Sequence, residues 1–115
     1  GRAAISARDI EVKNVQIPVI RDQWELVIAG TVVHYLNGAK ADFGDDALRC
    51  HQLSEAVAFT RGLRYSPTRK ISDMDWQSVL DILGMNFYTI RLSDIDAART
   101  IIVQNYGLEA VKNQL

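Results

Sequence analysis

Apolar residues recur at three- and four-residue spacing along most of this sequence, and no segment of strict apolar–polar alternation stands out. That spacing puts side chains on one face of a helix and does not fill one face of a strand. Only two prolines and seven glycines occur in 115 residues, so little interrupts it. The fold class that follows is all-α: an antiparallel helical bundle of four main helices plus short terminal helices. Asn37-Gly38, a dipeptide that marks strand hairpins, here follows a helical pattern.

The segment boundaries come from caps and breakers. Gly1 to Arg8 is Ala-rich, lacks a start signal, and reads as the tail of a helix that begins before residue 1. The first long helix is predicted from Pro18 to about Asp42, since proline suits a first helical turn; Asn14, Val15 and Gln16 add a turn ahead of it. Ile17, Ile20, Trp24, Ile28, Thr31, Tyr35 and Ala39 form its expected inner face. Asp22, Gln23, Asn37 and Lys40 fall opposite, and Asn37-Gly38 ends or bends the helix. Asp45 or Asp46 caps a second helix that reaches about Tyr65 and stops at Ser66-Pro67. Its apolar residues go nearly all round (Leu48, Cys50, Leu53, Ala56, Val57, Ala58, Phe59, Leu63), which predicts a central position. Ser72 to Asp75 resembles a capping box with Asp in place of Glu, and opens a helix with Trp76, Val79, Leu80 and Leu83 on one stripe. It ends at Gly84. Met85 to Leu92 reads as a packed connector. Ser93 to Asp96 is a second cap of that kind. It opens a last helix with Ile95, Ala98, Ile102 and Tyr106 inward, closed by Gly107. Leu108 to Leu115 adds a short helix.

Composition narrows the function classes. A chain of 115 residues makes a single domain of ordinary size. With 48% hydrophobic and 23% charged residues it is globular and not disordered. A net charge of −1 lacks the basic footprint of a nucleic-acid binder. The single cysteine, Cys50, excludes an internal disulfide framework and a cysteine zinc cluster. No apolar run approaches the roughly twenty residues of a membrane span, and the opening residues do not read as the apolar core of a signal peptide.

The most suggestive constellation is His51 with Glu55. Four residues apart, they share a helical face that continues through the small residues Ala58 and Gly62. Imidazole and carboxylate at this spacing can share a metal or hold a proton between them. The same pair also serves as a hydrogen-bonded packing device, and both readings stand. Further ligands would have to come from Glu25, His34, Asp42 or the Asp45-Asp46 pair. His34, on the flank of the first long helix, is the third candidate metal ligand. Trp24, Trp76 and Tyr106 read as core aromatics. Arg61, Arg64, Arg69 and Lys70 form a basic stretch that fits a solvated helix end better than an anion site. Cys50 reads as a buried thiol, since its neighbour His51 points about 100° away. No zinc-protease motif, nucleophile elbow, phosphate loop or dinucleotide fingerprint occurs, so an enzyme has little support.

Trp24-Glu25, His34-Tyr35-Leu36-Asn37, the run His51 to Phe59, Leu63-Arg64-Tyr65 and Lys70-Ile71-Ser72 together resemble an uncharacterised family of bacterial surface or periplasmic lipoproteins, a domain of unknown function. The resemblance covers nearly the whole chain as the C-terminal half of a family member. It implies a preceding N-terminal bundle with its own His-x-x-x-Glu-Ala segment, which becomes the expected partner beside a possible protein partner. It also implies an extracytoplasmic location. More distantly the layout is similar to imelysin-like proteins, paired helical bundles linked to iron uptake with a Gly-x-His-x-x-Glu motif. Arg49 stands here at the glycine position, and the acid follows the histidine by four residues. The resemblance carries over His51, with Glu55 as the substitute acid, and implies a divalent metal or iron as cofactor. Two functional expectations result. One is a non-enzymatic extracytoplasmic bundle that binds a metal or small ligand. The other is a structural or protein-interaction module with no ligand site.

Overall fold

The computed structural model describes residues 2–84 and 86–115, with side chains described from Ile20 onward. Gly1, Met85 and the Ile17 side chain, which the expectations above included, lie outside the described residues. Among the described residues are four helices, α1 (Arg2–Ala41), α2 (Asp46–Gly62), α3 (Asp73–Leu83) and α4 (Leu92–Tyr106), and a 3-10 turn at Leu63–Tyr65. No strand occurs among the described residues. The all-α bundle follows as the periodicity predicted.

Helix α1 packs along α2 and α4, and α3 closes the other side against α4 and α2. The first pair runs antiparallel. Gly38 lies against the Gln52 side chain, and further from the turn the Tyr35 ring stacks on Phe59 with centroids 5.8 Å apart. A Cβ at position 38 would come within 2.8 Å of the Gln52 amide, so glycine there permits a close approach. Asn37 and Gly38 do not end the helix, which runs on to Ala41. Asn37 is half-buried and ties three pieces together. Its amide donates to the Lys112 carbonyl at 2.7 Å, and its oxygen accepts from Arg99 on α4 at 2.8 Å.

The sequence misplaces the start of α1. Helix continues through Pro18, and the Ala-rich opening belongs to the same element. An interior proline forfeits one i→i−4 bond and costs about 3 kcal/mol, which makes it a strong stop signal that helical residues on both sides here override. The inner face is also shifted by one residue. Glu25, Ala29, Val32, Val33, Leu36 and Ala39 are buried, whereas Ile20 and Trp24 are 59% and 67% exposed. From Trp24 to Leu36 apolar residues fall on nearly every side of the helix. Periodicity then leaves the inward face undecided, and the neighbouring helices settle it.

The remaining caps follow residue chemistry. Asp45 accepts the Leu48 N–H at 3.0 Å to start α2, and Ser72 accepts the Asp75 N–H at 3.1 Å to start α3. The Asp75 carboxyl then takes the Asn105 amide at 3.0 Å and ties α3 to α4. Helix α4 starts one residue before Ser93: its cap is Arg91, whose backbone N–H donates to Asp94 at 3.0 Å. The box therefore forms two residues earlier than expected, with Asp94 as its acid, while Asp96 pairs with Lys40 on α1. Gly107 ends α4 at φ 65°, ψ 36°, and lets the Leu108 N–H reach the Val103 carbonyl at 3.0 Å. Beyond it the chain forms successive turns instead of the expected helix.

The core joins Leu36, Leu53, Ala56, Leu63, Ile71, Val79, Leu83, Ile95, Ile102 and Val103 from all four helices and the 62–72 segment. Tyr106 belongs to it, Trp76 packs at its edge, and Cys50 is half-buried, less covered than expected. No helix among the described residues is long and apolar enough to cross a membrane.

Candidate functional site

Helix α2 turns Arg49, Leu53, Ala56 and Thr60 inward. His51 therefore stands exposed on the outer side, with Leu48 and Ala58 beside it and Glu55 half-buried one turn on. The face they share is open, and a Cβ at Gly62 would meet nothing within 4 Å. Among the described residues no hydrogen bond joins His51 to Glu55. His34 lies elsewhere. Its ring meets Tyr35 edge-on at 5.3 Å, and it lines a shallow groove with Leu26, Val27, Leu108 and Leu115.

The other acids considered as ligands have structural partners. Asp42 accepts from Gln52, Asp45 caps α2, and Asp46 pairs with Arg49 at 2.7 Å. No group of three or more His, Cys, Asp or Glu side chains comes together among the described residues. Position 49 has its own explanation. Arg49 is 5% exposed and donates to the Phe43 and Phe87 carbonyls as well as to Asp46. Its guanidinium also covers the Phe43 ring at 5.1 Å. The charge is buried because it is fully partnered.

A different group of polar atoms is only partly satisfied. Glu25, on α1, is 2% exposed. One carboxyl oxygen accepts the Lys70 backbone N–H at 2.7 Å, and the carboxyl also lies beside the Tyr106 phenol. The Ser66 hydroxyl is buried and has no protein partner among the described residues. The phenol lies beside Glu25. Burial first, then that carboxyl, pushes it well above the usual tyrosine range. An unmade hydrogen bond on a buried polar group costs about 1–3 kcal/mol.

Glu25 and Ser66 line one wall of a cavity of about 340 Å³ between α1 and the end of α2. Arg21, Trp24 and Ile28 complete the α1 side; Gly62, Leu63, Tyr65 and Pro67 supply the other. The size falls in the range of roughly 300–1,000 Å³ typical of small-molecule sites. Trp24 and Tyr65, at 67% and 85% exposure, are aromatic rings at this opening and not in the core. Sequence reasoning assigned Trp24 to packing and held Glu25 only as a spare metal ligand. The available signal was an acid inside the apolar run Trp24 to Ala29. A buried acid needs partners, and its place there points to them.

The basic stretch is largely absorbed by local structure. Arg64 covers the Trp76 ring at 5.6 Å, and Arg69 pairs with Asp73 and donates to the Arg64 carbonyl at 3.1 Å. The Trp76 indole N–H in turn donates to the Thr60 carbonyl at 2.7 Å.

Compared with known families, residues 1–106 match the model of a domain of unknown function (DUF4856). No curated protein and no solved structure matches the chain.

Proposed function

The chain belongs to the DUF4856 family, and we propose that its bundle is a binding module, working outside the cytoplasm, that seats a small ligand between α1 and the 62–67 segment. One juxtaposition carries this reading: a cavity with a carboxyl 2% exposed in its wall and two exposed aromatic rings, Trp24 and Tyr65, along its lining. Folding alone gains nothing from burying an acid beside unfilled space. The extracytoplasmic location rests on the resemblance to surface and periplasmic lipoproteins. Cell fractionation of the native protein tests it, and recovery with the cytosol would overturn it.

Metal binding at His51 and Glu55, with His34 as a further candidate, is a second proposal at a different place, and a metal shift there is read against His51→Ala instead of Trp24→Ala. The open α2 face supports it, since both side chains are reachable there.

The binding reading is tested by melting the chain against a panel of small amines, acids, alcohols and metal salts. A compound that binds only the folded state raises the midpoint. The expected result is a shift that Trp24→Ala removes, because Trp24 is exposed and its loss leaves the fold intact. A panel with no shift, or a shift indifferent to Trp24, would overturn the proposal.

A further inference from the structure

Resting on that reading, we infer that the ligand of this cavity is a small organic anion with a flat apolar body, in its simplest form an aryl carboxylate. The charges set the sign. Among the described residues, Arg21 and Glu25 are the two charged side chains that line the cavity. Glu25 is buried and engaged, with the Lys70 N–H at 2.7 Å and the Tyr106 phenol beside it. Arg21 is exposed, and no ion pair joins it to an acid among the described residues. Its place on α1 explains this. Residues three and four positions before it are Pro18 and Ile17, and those three and four after it are Trp24 and Glu25. Glu25 is the one acid at pairing distance along the helix, and that carboxyl is held by Lys70. Asp22 follows Arg21 but projects about 100° round the helix. The guanidinium is therefore available to an anion entering the cavity.

The other wall agrees in sign. It comes from the stretch 61–70, which carries Arg61, Arg64, Arg69 and Lys70 and no acid. Asp73 offsets Arg69. The remaining excess of positive charge steers an anion toward this part of the surface, and Arg21 then holds it. A guanidinium meets a carboxylate with two parallel N–H bonds, both charge-assisted, which fixes orientation as well as adding strength. The lining sets the body of the ligand. Trp24 on the α1 side and Tyr65 on the other are exposed rings. Such rings favour offset or edge-to-face contact with a third ring. Ile28, Leu63 and Pro67 add apolar surface. A single ring with a short carboxylate arm is small enough for a cavity of about 340 Å³.

The test uses phenylacetate, the neutral 2-phenylethanol and the cationic 2-phenylethylammonium, followed by tryptophan fluorescence and by melting. Phenylacetate is expected to bind saturably and more tightly than either of the others. Arg21→Gln removes the charge from an exposed position and leaves the fold intact. It should weaken phenylacetate binding by about tenfold, the equivalent of about 1.4 kcal/mol, and leave any weak binding of the alcohol unchanged. Tyr65→Ala should weaken phenylacetate binding too, and so should Trp24→Ala, read by melting. Alcohol or ammonium binding as tight as that of phenylacetate, or unchanged phenylacetate binding in Arg21→Gln, would overturn the anion assignment. Binding of no acid in the panel, with a shift from another compound that Trp24→Ala removes, also overturns it while the binding module stands. No shift from any compound overturns both.

Discussion

The Glu25 carboxyl on α1 accepts the backbone N–H of Lys70 at 2.7 Å, across 45 positions of sequence. The bond fastens the segment between the 3-10 turn and α3 to the first helix, beside the buried Ile71. Glu25→Ala leaves that N–H without its acceptor and should cost about 1–3 kcal/mol in a denaturant titration. Glu25→Gln, which retains an acceptor, should cost less. Equal losses in the two variants would mean that the bond contributes nothing to stability.

Tyr106 gives a pH dependence with a definite sign. Its phenol is held above its ordinary value, chiefly by burial and then by Glu25. Below about pH 10 the group is neutral in the folded and unfolded chain alike, so its contribution is fully present. At higher pH only the unfolded chain releases the proton, and stability falls by about 1.4 kcal/mol per pH unit until the folded group also titrates. Tyr106→Phe lacks this component. Its stability should match wild type at neutral pH and decline less steeply between about pH 10 and 12. Parallel decline in the two proteins would show that Tyr106 is not the group responsible.

Arg49 is predicted to be among the costliest single positions. Truncation to alanine removes bonds to Phe43, Asp46 and Phe87 and leaves two carbonyls without their donor. The expected loss is about 3–5 kcal/mol, measured by chemical unfolding. Arg49→Lys cannot reach all three acceptors with one point charge, so it should recover less than half of that loss. Full recovery by lysine would show that charge alone matters.

His51 and Glu55 offer a metal two side chains on one exposed helical face. Zinc or ferrous iron should therefore raise the melting midpoint by less than about 4 °C, the equivalent of about 1 kcal/mol. The small shift should vanish in His51→Ala. A much larger shift that also depends on His51 would place additional ligands on a second molecule or on residues outside those described.

The fold was largely legible because it depends on residue types with local physics. Asp45, Ser72, Gly84 and Gly107 mark helix ends through hydrogen bonds and backbone angles that need no tertiary information. Pro18 was misleading because its penalty is a propensity, and a propensity yields to context. The inner face of α1 was illegible for another reason. Where Trp24 to Leu36 is apolar nearly all round, the buried side is decided by the approach of α2 and α4. The candidate site inherited that error. A stripe shifted by one residue puts Trp24 inside, whereas Trp24 is exposed and its neighbour Glu25 is the buried residue. His51 and Glu55 were placed correctly on one helical face, but which way that face points depends on the packing of α2.

Arg49 also has a consequence for divergence within the family. Two of its three acceptors are main-chain carbonyls, at Phe43 and Phe87. Side-chain replacement at those two positions leaves such acceptors in place, whereas insertion or deletion in either loop removes them. Relatives that carry glycine at position 49 should therefore differ from this chain in the length of the 42–45 turn or the 84–91 connector. Relatives that keep arginine should conserve both lengths while the residues along them vary.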